Sequence, residues 1–406
     1  MTMLPVASRS SLQLPKSQMV ALFLALGFLA LLTGIAWQTQ SRNHAMLLLT
    51  GAALGIALYH ASFGFTAAFR VLMSDARSAG LRAQMILLGL ACILFFPPLA
   101  HGTLFGSPVG GFVMPVGFGV VVGAFLFGIG MQLGGGCGSG TLFTVGGGNV
   151  RMVITLVFFI AGSMIGLENL SYWERLPNLG SVSIVEVLGW PGALAVNLAI
   201  FAGVYFAVSG IERRRHGKLQ PIGRGDEATG PMVALVRGPW PLIWGAVALA
   251  LLNFLTLYLA GRPWGITSAF ALWGAKTLSA VGIDMSQWSS WSDAGQQAAL
   301  KSSVLADITS IMDIGLVLGA LAASALAQKF RPGWSIPPLQ IVSAVLGGLL
   351  MGYGARLSYG CNIGAFFSGI ASGSLHGWLW IACAFAGNWL GVVLRPVFGM
   401  AVERSK

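Results

Sequence analysis

Ten runs of about twenty apolar residues constrain this chain more than any other feature of its sequence. They cover approximately residues 19–37, 45–62, 84–100, 113–133, 150–167, 189–210, 239–261, 306–328, 339–357 and 377–396. Each is long enough to cross a bilayer as a helix, and in lipid an open strand could not satisfy its own backbone. Charge points the same way: 9% of the 406 residues are charged, where a soluble domain carries about 25%. The sequence therefore predicts an all-α polytopic membrane protein with about ten transmembrane helices, whose partner along most of its surface is the lipid bilayer. Four stretches, 63–82, 134–149, 264–300 and 358–376, are too short or too polar to cross. They read as half-helices, re-entrant loops or surface segments, which survive at membrane depth only where protein or a water-filled cavity covers them.

In such a chain the net charge of +11 is a topology signal rather than a nucleic-acid footprint. With the N-terminus in the cytoplasm, alternation through ten spans leaves Arg42, Arg175, Arg262, Lys276, Lys301 and Arg356 outside. The other 17 of the 23 Lys and Arg residues are then cytoplasmic, including Arg9, Lys16, Arg151, Arg213, Arg214, Arg215, Arg224, Lys329, Arg331, Arg404 and Lys406. The positive-inside rule makes that the expected orientation, with both termini in the cytoplasm and the protein in the inner membrane. No small-residue cleavage site follows the first run, so residues 1–44 read as a cytoplasmic segment and a retained helix. The one long polar linker, 211–238, is basic and separates two halves.

Those halves resemble each other. Gly134-Gly-Gly-Cys-Gly-Ser-Gly140 returns 224 residues later as Leu357-Ser-Tyr-Gly-Cys-Asn-Ile-Gly364. Cys137 aligns with Cys361, Gly136 with Gly360, Gly140 with Gly364, and Phe143 with Phe367. Gly128 and Gly130 align with Gly352 and Gly354, and Gly162 and Gly166 with Gly387 and Gly391. Phe63-Gly-Phe-Thr-Ala-Ala-Phe69 resembles Trp264-Gly-Ile-Thr-Ser-Ala-Phe270 at an offset of 201. The expected organisation is repeat 1 over 45–167, a connecting helix and linker over 168–245, and repeat 2 over 246–406. Five crossings separate the first spans of the repeats, so the second copy enters from the opposite face, as an inverted-topology repeat. Transporters of that kind place their site where broken helices from both copies meet.

Glycine at this density suits neither a helix nor a strand interior, so both cysteine motifs mark breaks. Their exposed amides would favour an anion, and Gly136, Gly138, Ser139, Gly140, Gly360, Asn362 and Gly364 are the candidate lining. Tight packing is the competing use of the same glycines. A thiol is a weak donor and soft acceptor, suited to a sulfur-containing substrate rather than a hard cation. Cys92 and Cys383 lie mid-helix without a partner in the other repeat and read as packing residues. Four cysteines without a CxxC or Cys/His cluster predict free thiols and no metal site. Arg356, five residues before Cys361, either draws an anion toward it or snorkels to the interface. Asp313 reads as a partner for Lys276. Phe143 and Phe367 could form apolar constrictions, and His60, His101, His216 and His376 read as interfacial or loop residues. Gly274-Ala-Lys-Thr277 lacks the upstream glycine of a phosphate-binding loop, so no ATP site, and no other cofactor, is expected.

The two glycine–cysteine motifs, with Phe63–Arg70 and Trp264–Phe270, resemble those of the YeeE/YedE family of membrane proteins. The resemblance covers about 45–400. It implies an hourglass-shaped helical transporter with inverted repeats, and uptake of thiosulfate past central cysteines through weak S–H···S contacts. Some relatives are linked to selenium or to other sulfur species. The family often carries a third cysteine, as Phe-Cys-Phe-Thr, where this chain has Gly64, which would shorten the relay to Cys137 and Cys361. Two further roles are open: a cysteine that hands sulfur to a cytosolic sulfur carrier protein, and a scaffold that docks partners through 211–238.

Overall fold

The computed structural model describes residues 14–223, 230–285 and 288–403. Arg9, Arg224, Arg404 and Lys406, counted in the charge asymmetry, lie outside them. Four helices come first: α1 (Lys16–Thr39), α2 (Arg42–His60), α3 (Phe65–Asp75) and α4 (Ala79–His101). Then follow α5 (Phe118–Gly134), α6 (Gly138–Gly146), α7 (Val150–Glu168), the short α8 (Leu170–Glu174) and the long α9 (Ile184–His216). The second half has α10 (Pro231–Arg237), α11 (Leu242–Ala260), α12 (Ser268–Ala280), α13 (Ala294–Lys301), α14 (Ile308–Leu326) and α15 (Pro338–Leu357). A π-helical segment, Asn362–Ser368, runs into α16 (Gly369–Ala371), and α17 (Leu375–Leu394) closes the chain. Among the described residues, strand is confined to two short antiparallel pairings in the loops.

Among the described residues ten helical segments are long and apolar enough to span a membrane, and they fall on the ten runs read from the sequence. Side chains cap several of their starts. Ser41, Asn149, Ser183 and Asp307 each accept a backbone N–H from the first turn of α2, α7, α9 and α14. Exposed Phe23, Leu24, Phe28 and Leu31 on α1 form a surface that lipid, not water, would cover. The four segments too short to cross are also accounted for: α3, α6, α12 with α13, and the π-helical segment with α16 occupy them.

Glycine sets how close the helices come. A Cβ at Gly123 of α5 would sit 2.7 Å from the Gly354 carbonyl oxygen of α15, and one at Gly130 would sit 2.8 Å from that of Gly347. The start of α5 thus meets the end of α15 and the reverse, so the two run antiparallel. The other packing is reciprocal. α2 lies along α14 as α11 lies along α4, α5 along α17 as α15 along α7, and α3 against α17 as α12 against α7. Gly162 abuts the Leu349 carbonyl, and Gly387 abuts that of Phe125, which lies 224 residues before Leu349.

The linker differs from the reading at its start. Residues 211–216 are not loop: they complete α9, with Gly217 as its left-handed C-cap at φ 71°. The buried Glu212 explains why. Its carboxylate accepts the Ser78 amide (3.0 Å), the Ser78 hydroxyl and the Gln220 amide (2.9 Å), with Arg82 at 3.4 Å. The helix end is thereby tied to the start of α4.

Candidate functional site

Both cysteine motifs are helix breaks. α5 ends on Gly135, held at φ 96°, a left-handed conformation that costs glycine nothing. Its counterpart 224 residues on, Tyr359, is left-handed too, at φ 59°. Beyond each break the cysteine is the N-cap: Cys137 opens α6 and Cys361 opens the π-helical segment. The Cys137 carbonyl accepts both the amide and the hydroxyl of Thr141 at 2.8 Å. The Cys361 carbonyl accepts the Ala365 amide at 2.9 Å. The two breaks differ beyond this point, since one copy continues as α-helix and the other as π-helix, a form often found at functional sites.

The motifs meet. A Cβ at Gly138 would lie 3.0 Å from the Cys361 sulfur, so the second thiol rests against the first turn of the half-helix α6 that follows the first. The Cys137 sulfur lies 3.4 Å from the Ser139 hydroxyl, within its own motif. The Ile363 amide donates to the Cys361 sulfur at 3.4 Å. The first amides of α6 have no carbonyl in their own helix, and they add positive potential beside the thiols. Asn362 stands out: it is 0% exposed, and neither atom of its amide has a hydrogen-bond partner among the described residues. A buried, unpaired amide in a native site calls for a reason, and a bound anion would supply one. Gly140 and Gly136 pack within the first break, while a Cβ at Gly364 would meet nothing within 4 Å.

Arg356 reaches neither cysteine. Its guanidinium donates to the carbonyls of Thr267 and Ser268, and its Nε is buried without a partner. Gln132, 224 positions before Arg356, donates to the Thr66 carbonyl (3.0 Å) and to Asn388 Oδ1 (2.7 Å). Each aromatic–Gly–x–Thr motif is therefore tied to its cysteine break by the same bond. Gln132, neutral and isolated in sequence, could have been found only by carrying the repeat offset one step past the motif.

Two cavities flank the thiols. One, of about 220 Å³, is lined by Arg262, the 264–268 segment, Arg356, Tyr359, Gly360 and Gly364. The other, of about 520 Å³, lies at the far end of α6, where Phe143, Arg151, Lys329, Arg331 and Gln340 line it. Helix α15 begins beside the second at Gln340 and ends beside the first at Arg356, so the cavities open toward opposite ends of a spanning helix. Between them Cys137, Cys361, Leu142, Phe366 and Phe367 are buried, which closes the space at the thiols. Phe367 sits in that closure, whereas Phe143 borders the larger cavity.

Other readings change. Lys276 does not pair with Asp313, because its ammonium donates to the carbonyls of Leu300 (2.7 Å) and Ser302 (2.6 Å). His60, at the end of α2, and His376, in the first turn of α17, are buried within the protein, at 3% and 0% exposure. All four cysteines are free: Cys92 packs on the Ile370 carbonyl at 3.8 Å, and Cys383 is half-buried on α17.

The profile of a family described as Sulphur transport matches residues 60–390. The chain is 27% identical over 374 residues to the thiosulfate transporter TsuA of Spirochaeta thermophila, covering 84% of this chain and 96% of that one. It is 24% identical to the Escherichia coli thiosulfate transporter TsuA, over 86% of this chain and 94% of that one. A shorter stretch of 169 residues, 41% of each chain, is 31% identical to the probable transporter YedE of E. coli. The match thus spans about two fifths of YedE.

Proposed function

Because this chain belongs to the Sulphur transport family, we propose that it is a transporter, not an enzyme, that takes up a small sulfur-containing anion, with thiosulfate the leading candidate. The observation that carries the reading is the meeting of the two breaks: the Cys361 sulfur on Gly138, with the unpaired Asn362 amide beside it. Thiols and amides, with no carboxylate bonded to either sulfur, offer soft and donor contacts to a sulfur oxyanion. Arg262 and Arg356 attract the anion into the smaller cavity. It passes Gly360 and Gly364 to Cys361, Asn362 and Cys137, then follows α6 past Gly136, Gly138, Ser139 and Gly140 to the larger, basic cavity.

The smaller cavity is the outer one in this reading, and the termini and linker are cytoplasmic in the inner membrane, because the larger cavity holds residues from the positive majority. The repeats over 45–167 and 246–406, joined by 168–245, are inverted. The antiparallel α5 and α15 and the reciprocal glycine contacts support this. Closure at the thiols is the state between outward and inward opening.

Uptake of radiolabelled thiosulfate into proteoliposomes tests the function, with sulfate and selenite as competitors. Cys137→Ala and Cys361→Ala should each reduce uptake sharply in folded protein. Cys92→Ala and Cys383→Ala should transport near the parent rate. If both central variants match the parent, the amides select the substrate and an ordinary oxyanion becomes the better reading. A covalent sulfur adduct trapped on either central cysteine during turnover would instead favour transfer to a cytosolic sulfur carrier.

A further inference from the structure

We propose that Asp313 is a proton-carrying site, so that the chain imports its anion together with a proton. The inference rests on the anion-transport reading above and adds the coupling ion to it.

Asp313 is 0% exposed, and neither of its carboxylate oxygens has a hydrogen-bond partner among the described residues. An ionised carboxylate in that position would be an isolated charge inside a membrane protein, which is rare and costly. The side chain is therefore a neutral acid in this state and holds a proton. Its neighbours do not neutralise it otherwise. Lys276 of α12 is engaged by two carbonyls, and Arg262 donates to the Thr309 hydroxyl at 3.0 Å. Asp307, at the N-cap of α14, accepts the Ser310 amide at 2.7 Å. On α2, His44 bonds Ser41 and the Ala306 carbonyl, Arg42 lies over Trp37, and His60 is at the far end of the helix. Tyr59 beside His60, Lys16 of α1 and Arg237 of α10 complete the ionisable groups on the helices that pack against α14, and none of them bonds an Asp313 oxygen.

Its place on α14 gives the group a use. A Cβ on Gly146, at the end of α6, would meet the Val317 carbonyl (2.5 Å) and Ala320. Asp313 continues that stripe one turn toward the start of α14. It is therefore on the side facing α6 and displaced toward the Cys137 end of that half-helix. The Cys361 sulfur lies against Gly138 at that same end, so the thiols and Asp313 share the Cys137 end of α6. A dianion at the thiols and an ionised Asp313 would repel each other across this closed, low-dielectric space. Protonation of Asp313 therefore raises anion affinity, and by linkage the anion raises the proton affinity of Asp313 by the same factor. The proton enters with the anion from the outer side and leaves from the carboxyl when the inward opening, with the anion gone, lets water reach it. One proton and one dianion move together, and the net transported charge falls from two negatives to one.

The test uses the full chain in proteoliposomes that contain a trapped pH-sensitive dye. Labelled thiosulfate is added outside, with sulfate as the control. Thiosulfate entry is expected to acidify the lumen in proportion to uptake. For one coupled proton, each pH unit of inward gradient should raise the accumulation ratio about tenfold. Asp313→Asn, neutral and nearly isosteric, should keep exchange of internal for external thiosulfate but lose the acidification and the response to the gradient. If it does not fold, the smaller neutral Asp313→Ser takes its place. Entry into parent liposomes without acidification overturns the proposal while leaving transport intact. Acidification by a folded neutral variant at the parent ratio overturns it as well, because the proton then travels elsewhere. Absence of any thiosulfate entry removes the transport reading itself, and the proposal with it.

Discussion

Three side chains carry the chemistry proposed for the closed centre: the Cys361 thiol that rests on Gly138, the Cys137 thiol one residue before that glycine, and one amide with nothing to bond. Asn362 is the most exacting of them. If its amide nitrogen donates to the anion, Asn362→Ala removes a hydrogen bond to a charged group, about 1.5–3 kcal/mol, or roughly 10–150-fold in thiosulfate uptake. Asn362→Asp should be worse than alanine, because it adds a like charge. Initial rates on folded protein check both, and an alanine variant at the parent rate would remove Asn362 from the pathway. The cysteines and Asn362 were legible because the repeat marks them twice or lies beside them. Asp313 was legible as a charge in an apolar run but not as an orphan. The pairing with Lys276 failed because two carbonyls at the end of α13 satisfy the ammonium first. Burial of His60 and His376 was likewise invisible, since a lone histidine in a sequence has no periodic signal.

At the scale of elements, breaks and spans follow from local composition, and what lies beyond each break does not. The two motifs align residue for residue, yet Gly138–Gly146 is α-helical and Asn362–Ser368 is π-helical. The extra side-chain volume at Asn362 and Ile363, against Gly138 and Ser139, goes with that difference. Gly138→Ala tests how tightly the halves meet. The new Cβ, 3.0 Å from the Cys361 sulfur, requires the thiol to shift by a few tenths of an ångström. Uptake should fall severalfold while the melting temperature changes little. An unchanged rate would mean that the contact does not set the thiol's position. The linker shows the opposite limit: a run of basic residues reads as loop, but the buried carboxylate of Glu212 holds Ser78, Gln220 and Arg82 and keeps 211–216 helical.

At the scale of the molecule, the proposed orientation rests on the charge asymmetry and the basic lining of the larger cavity. A cysteine introduced at Arg214 should react in intact cells only with a membrane-permeant reagent. Labelling by an impermeant one would reverse the sidedness and exchange the entry and exit cavities. What the sequence by itself determined is the membrane setting, the ten spans, the positions of the breaks and the equivalence of the two thiols. Hydrophobic length, glycine density and internal repetition are local properties, readable without knowing which helix touches which. What only the tertiary structure decided is that the Cys361 sulfur lies on the half-helix that Cys137 opens, that one cavity lies beside Gly360 and Gly364 and the other at the far end of α6, and that Asn362 and Asp313 are left without partners among the described residues. Each depends on close approach between residues far apart in the chain. Backbone-to-backbone glycine contacts set that approach, and many other glycines in the same sequence make no such contact.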